Sequence, residues 1–112
     1  MEYRYDSCPD YVVFTVEGLF IGGEDINKIY AFIQEQIKNG TKKIIFDFEK
    51  VSYIGSVVIS FLIKINDELI DASGKVVLCN VSPSVMEIFK ITKMNLILSI
   101  FDSKEKAIQA LA

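Results

Sequence analysis

Apolar residues along this chain switch between two periods, and the switches mark its elements. In "YVVFTVEG" Val12, Phe14 and Val16 fall on one face and Val13, Thr15 and Glu17 on the other, the alternation of a half-buried strand. "EYRYDS" before it has the same aromatic, β-prone character, and "CPD", Cys8 to Asp10, is a turn signal between the two. Together they predict a hairpin. Gly22 and Gly23 then break the pattern. Ile26, Ile29, Tyr30, Ile33 and Ile37 recur at helical spacing, with Glu24 or Asp25 favouring the helix start and Lys38 with Gly40 marking its end.

The second half repeats the alternation of element types. "KKIIFDF" is a short apolar run of the kind found in buried central strands, and "DFEKVS" after it reads as an acidic turn. A helix is predicted from near Ser56 to "ASGK", with Gly74 as its C-terminal cap and Val58, Phe61, Leu62, Ile65, Leu69 and Ala72 as its apolar stripe. "KVVLCN" is a further buried strand. Ser82 and Pro83 are placed as N-cap and first helical residue of "SPSVMEIFKITKM". "LILSIF" is the last strand, and "DSKEKAIQALA" the last helix, with Asp102 and Glu105 at capping-box-like spacing. The order β-β-α-β-α-β-α-β-α predicts an α/β fold: one domain over residues 1–112, with a mixed, mostly parallel sheet and helices on its faces. Sites in such sheets tend to lie beyond the C-terminal ends of the strands, where "VSYIGSVVIS" falls.

Composition narrows the function. Hydrophobic residues make up 51% of the 112, which suits a packed domain and not a disordered one. The net charge of -3, with scattered Lys and Arg, argues against nucleic acid. No apolar run reaches the roughly 18 residues of a membrane span, and "MEYRYDSCPD" has no apolar signal core, so a soluble cytoplasmic protein with reduced Cys8 and Cys79 is expected. The chain has no histidine, which removes Ser-His-Asp and Cys-His schemes and the usual histidine metal sites. "GLFIGGED" places glycines near a helix start but makes neither a GxGxxG nor a P-loop pattern. Asp47 at a strand end lacks a second acid and reads as capping the turn after its strand. No catalytic residue, cofactor or metal ligand is assigned.

The element order, the length and the segment "IIFDFEKVSYIGSVVISFL" resemble a STAS domain, the fold of bacterial anti-sigma factor antagonists. In that family a strand ends with an acidic residue, a turn carries Val and Ile, and a motif of the type Asp-Ser-Ser/Ala-Gly-Leu-Gly opens a helix. Asp47, Val51 and Ile54 match the approach, and Ser56 falls on the serine that family members present to a serine kinase. Gly55 stands where the family has Asp, and Val57, Val58, Ile59 and Ser60 fall on its Ser/Ala-Gly-Leu-Gly run. Leu19 and Ile21 stand where the family often has acidic residues. "GKVVLCNVSPSVMEIFKITKMNLILSIFDSKEKAIQAL" is similar to the rest of the family's chain.

The resemblance implies a non-enzymatic regulatory module of bacterial transcription control. It would bind an anti-sigma factor related to ATP-binding serine kinases and be switched by phosphorylation at Ser56. The implied partner-binding residues are Gly55, Ser56, Val57, Ile59, Ser60 and Ile63. The alternative is a constitutive STAS scaffold or transporter accessory subunit without a switch. Neither reading calls for nucleic acid or membrane insertion, and homo-oligomer formation stays open.

The residues themselves give Ser56 two compatible roles. As an N-cap its hydroxyl would accept a backbone N–H, worth about 1 kcal/mol. As a phosphoserine it would add up to roughly two negative charges at a helix N-terminus, which favours anions. Ile59, Ile63 and Ile70 form a second apolar row on the same helix, read either as part of a wide buried face or as an exposed docking strip.

Overall fold

The computed structural model describes residues 2–20 and 23–111, apart from the side chains of Glu2 and Asp25; Ile21 and Gly22 of the predicted first loop lie outside them. The hairpin forms from β1 (Glu2–Ser7) and β2 (Val12–Phe20), antiparallel, with the Cys8 N–H donating to the Tyr11 carbonyl at 2.8 Å to close its turn. Then follow α1 (Glu24–Lys38), β3 (Lys43–Ile54), α2 (Ser56–Asp71), β4 (Lys75–Cys79), α3 (Pro83–Ile91), a 3-10 turn (Met94–Leu96), β5 (Ser99–Phe101) and α4 (Lys104–Leu111). The sheet runs in chain order, β1-β2-β3-β4-β5, and every pair after the hairpin is parallel.

That order decides the layers. Parallel neighbours need crossovers, and successive right-handed crossovers in one direction deliver their helices to one face. Ile29 and Ile33 of α1, Leu62 and Ile65 of α2, and Val85 and Phe89 of α3 accordingly share one core with Phe14, Phe46, Phe48 and Leu78. α4, free of any following strand, covers the other face with Ala107 and Leu111 on Val13, Ile45, Val77 and Cys79. The alternation read in β2 holds: Val12, Phe14 and Val16 face the larger core and Val13 the smaller.

β3 departs from expectation in a way that shapes the site. "DFEKVS" is strand and not turn, and β3 continues to Ile54 because β2 runs on beside it. Thr15 pairs with Asp47 but Glu17 with Lys50; Gly18 pairs with Val51 but Leu19 with Tyr53. β3 thus carries one extra residue at each of two bulges, which bend and twist a strand. Its buried residues step by two at Ile44, Phe46 and Phe48, then by three at Val51 and Ile54. β4 ends at Cys79, opposite Asp47, so β2 and β3 project as a two-stranded ribbon beyond it.

Asp47 sits at the first bulge, within its strand and not after it. Its Oδ1 accepts from the Glu49 N–H at 3.1 Å and from Asn80 Nδ2 at 3.2 Å. It therefore holds the bulge and the loop after β4 together, a structural use of a nearly buried carboxylate.

Three helix ends also differ from expectation by one residue. α2 ends in a Schellman arrangement whose left-handed residue is Ser73, φ 63°, with the Gly74 N–H donating back to the Leu69 carbonyl. Gly74 is needed for space, since a Cβ there would lie 2.2 Å from the Lys42 carbonyl oxygen. α4 is capped by Ser103, whose hydroxyl accepts from the Lys106 N–H at 3.2 Å, while Asp102 pairs with the Lys106 ammonium. The third case, at α2, belongs to the site. Ser82 caps α3 as expected, accepting from the Val85 N–H at 3.3 Å. The last strand is shorter than "LILSIF": the 3-10 turn takes Leu96, and both Leu96 and Ile97 are exposed.

Candidate functional site

The site is built where the β2–β3 ribbon hands the chain to α2. Ile54 is buried and anchors the strand end. Gly55 makes the turn in extended geometry, φ -91° and ψ 167°, with its N–H donating to the Phe20 carbonyl at 2.9 Å and its carbonyl accepting from the Val58 N–H at 3.0 Å. Gly55 is therefore the N-cap of α2, and Ser56 is the first helical residue. This corrects the capping role expected of Ser56. The capping position is fixed by where the chain leaves the strand, and Ile54 fixes that one residue earlier.

Two consequences follow for the electrostatics. No side chain caps α2, and no acidic residue lies in its first turn. Its leading N–H groups and the positive end of the helix dipole are left for solvent or an added anion. Ser56 stands exposed at that end, its hydroxyl committed to no bond among the described residues.

The other implied binding residues divide by exposure. Val57 and Ser60 are exposed beside Ser56, Val57 by 56%. Gly55, Ile59 and Ile63 are half-buried, and both isoleucines pack against the larger core. The second apolar row thus splits: Ile59 and Ile63 widen the buried face, while Ile70 is exposed farther along the helix. Two residues that sequence reading did not assign join the rim. Leu19 and Tyr53 pair across β2 and β3 at the ribbon's tip and are 53% and 51% exposed. They alternate with Phe20 and Ile54, which face the larger core, and so lie on the ribbon's outer side, while Val57 adds an exposed apolar side chain at the start of α2 next to Ser56. The step of three from Phe48 to Val51 to Ile54 was the available signal, since it marks the bulges that bring Tyr53 opposite Leu19.

Below this end, α1 and α2 are pinned by a polar cluster. The Tyr30 hydroxyl donates to Glu68 Oε1 at 2.5 Å and accepts from Gln34 Nε2 at 2.7 Å, and Lys64 Nζ lies 4.5 Å from the centre of the Tyr30 ring. The hydrogen bond to Glu68 raises the Tyr30 phenol above its ordinary range.

Among the described residues no three potential metal ligands come together. Cys79 is buried, its thiol pushed up to about 12 chiefly by burial and then by the Asp47 carboxylate, which suppresses the reactive thiolate. No helix among the described residues is long and apolar enough to cross a membrane.

A five-stranded mixed sheet with three helices on one face, one on the other and an open helix start beside its longest strand defines a known class of α/β domain. The chain belongs to the STAS domain family, whose model matches residues 4–107. It is 23% identical over 110 residues to BtrV of Bordetella bronchiseptica, a protein named for anti-sigma factor antagonism; the alignment covers 98% of this chain and 94% of that one. It superposes on the unphosphorylated anti-sigma factor antagonist SpoIIAA with a TM-score of 0.83 at 23% identity, covering 97% and 95% of the two chains. The phosphorylated form of the Bacillus cell fate determinant SpoIIAA superposes with a TM-score of 0.78 at 22% identity, covering 99% and 100%. The fold is that of the anti-sigma factor antagonists.

Proposed function

We propose that this chain is a non-enzymatic, anti-sigma factor antagonist-like protein that docks an anti-sigma factor of the ATP-binding serine-kinase type. In this reading the unmodified chain binds that partner and so frees a sigma factor. Phosphorylation of Ser56 ends the binding. The observation that carries the proposal is Ser56 itself: exposed and at the first position of a helix that no side chain caps; the sequence resemblance matches it to the serine that family members present to a kinase.

The physical chemistry supports both halves. A phosphate on Ser56 brings roughly -1.5 to -2 charges to free N–H groups and a helix dipole, so it can be carried without unfolding the domain. The same charge arrives next to the exposed Val57, at the junction whose ribbon tip carries the exposed Leu19 and Tyr53, apolar surface suited to an interface. A partner packed there must then desolvate a dianion, which disfavours the complex. Gly55, in place of an acid, removes a neighbouring negative charge from the phosphate. The existence of a similar protein in unphosphorylated and phosphorylated forms favours the reading.

The test is incubation with the cognate kinase and ATP, followed by intact-mass analysis. One added phosphate on the wild type and none on Ser56→Ala is expected. An unmodified wild type would overturn the switch and leave the constitutive scaffold.

A further inference from the structure

We infer that β1 is a self-association edge, and that two copies of this chain pair antiparallel through it about Tyr5 to form one continuous ten-stranded sheet.

Edge strands expose a row of backbone donors and acceptors, and proteins that keep them unpaired blunt them with charged side chains, lysine above all, with proline or with bulges; the charges of β1, Glu2, Arg4 and Asp6, are of both signs and so can pair between two copies. β1 pairs only with β2, its register to β2 is unbroken from Glu2 to Ser7, and none of its six residues is Lys or Pro. The opposite edge, β5, has three residues and is a poorer template. β1 also carries an aromatic cost: Tyr5 is 48% exposed, although its ring lies 4.1 Å from that of Phe32 and 5.9 Å from that of Phe14.

Charge and strand length together select a register. Side chains directly opposite in an antiparallel pair share a face, so two copies of one strand can be centred only on a residue. Centred on Arg4, the pairing sets Arg4 against Arg4, a like-charge pair. Centred on Tyr5, it sets Arg4 of each copy against Asp6 of the other, twice, on the sheet face that carries α4. Tyr3 then meets Ser7, and the two Tyr5 rings meet on the face of α1 and extend the stack begun by Phe32. A pairing centred on Tyr3 also sets unlike charges opposite, Glu2 against Arg4, but engages only residues 2–4 of β1, whereas one centred on Tyr5 engages residues 3–7. Arg4 and Asp6 are both exposed, and no ion pair joins either to another described side chain. A second copy therefore supplies what this edge lacks: backbone partners, cover for Tyr5 and two salt bridges. β1 stops opposite Glu17, short of the Gly18–Phe20 ribbon that adjoins Ser56, so the pairing leaves the proposed docking rim open and does not depend on it. An edge contact this small lies at the weak end of specific interfaces, below about 1,200 Å² of buried surface. Dimers are accordingly expected only at high concentration.

Sedimentation velocity up to millimolar concentration tests the inference, with circular dichroism melts to verify folding. The wild-type mass is expected to rise from 12.7 kDa towards twice that value. Arg4→Asp sets Asp against Asp6, and Asp6→Arg sets Arg against Arg4, so each variant alone should stay monomeric while melting like the wild type. An equimolar mixture of the two should dimerise again, as should the doubly substituted chain. A wild type that remains monomeric throughout, single variants that dimerise as the wild type does, or a double variant that stays monomeric would each overturn the inference.

Discussion

Replacing Gly55 with Asp tests whether the start of α2 is electrostatically open. The backbone at Gly55, φ -91° and ψ 167°, is a conformation any residue adopts, so the substitution adds no backbone strain. Three gains are expected. A side-chain cap is worth a few tenths of a kcal/mol over glycine. A carboxylate beside the free N–H groups adds about 0.3–1 kcal/mol. The loss of glycine's freedom in the unfolded chain adds about 0.4–1 kcal/mol. Together these give about 1–2 kcal/mol, a rise in Tm of about 4–8 °C for a chain of this length. Thermal unfolding by circular dichroism measures it, with Gly55→Ala as control, because alanine shares the entropic gain but, as a poorer N-cap than glycine, neither caps nor charges the helix start. The same carboxylate would lie beside the Ser56 position, so it should also slow or weaken phosphorylation there through like-charge repulsion. If Gly55→Asp melts no higher than Gly55→Ala, the helix start is not the anion-favouring site described.

Other substitutions test the supports of the fold. Gly74→Ala forces a Cβ to within 2.2 Å of the Lys42 carbonyl, a backbone atom that cannot swing away; denaturant unfolding should show a loss of about 1–3 kcal/mol. Tyr30→Phe removes the hydroxyl between Gln34 and Glu68 and should cost about 1 kcal/mol in the same assay, loosening α1 against α2. Alkylation of the native chain at pH 8 should label Cys8 and spare Cys79. Because the folded chain holds the Cys79 proton up to about 12 while the unfolded chain releases it near the ordinary thiol value, stability should fall as pH rises through that interval. Cys79→Ala should flatten this decline.

The elements with an unbroken period were legible in the sequence. β2, α1 and β4 lie where alternation, helical spacing and the continuous apolar run place them, and the sheet is mixed and mostly parallel as the element order implies; its strand order was not legible. What was misread has one physical source: the backbone, and not side-chain preference, decides where an element turns. Ser56, Gly74 and Asp102 are all residue types suited to caps, yet Gly55, Ser73 and Ser103 hold those positions. The polar run from Glu49 to Ser52 resembles a turn but is carried by a bulged strand with β2 beside it. The location of Ser56 at the β3–α2 junction was legible. Leu19 and Tyr53 were not, because two bulges are needed to bring them opposite each other.

The central claim is that charge on Ser56 governs docking at this rim. Isothermal titration of the anti-sigma factor partner with the wild type, Ser56→Ala and Ser56→Asp measures it most directly. Alanine leaves the surface uncharged and should bind as the wild type does, whereas aspartate should weaken binding at least tenfold, about 1.4 kcal/mol. Equal affinity for Ser56→Ala and Ser56→Asp would contradict the account.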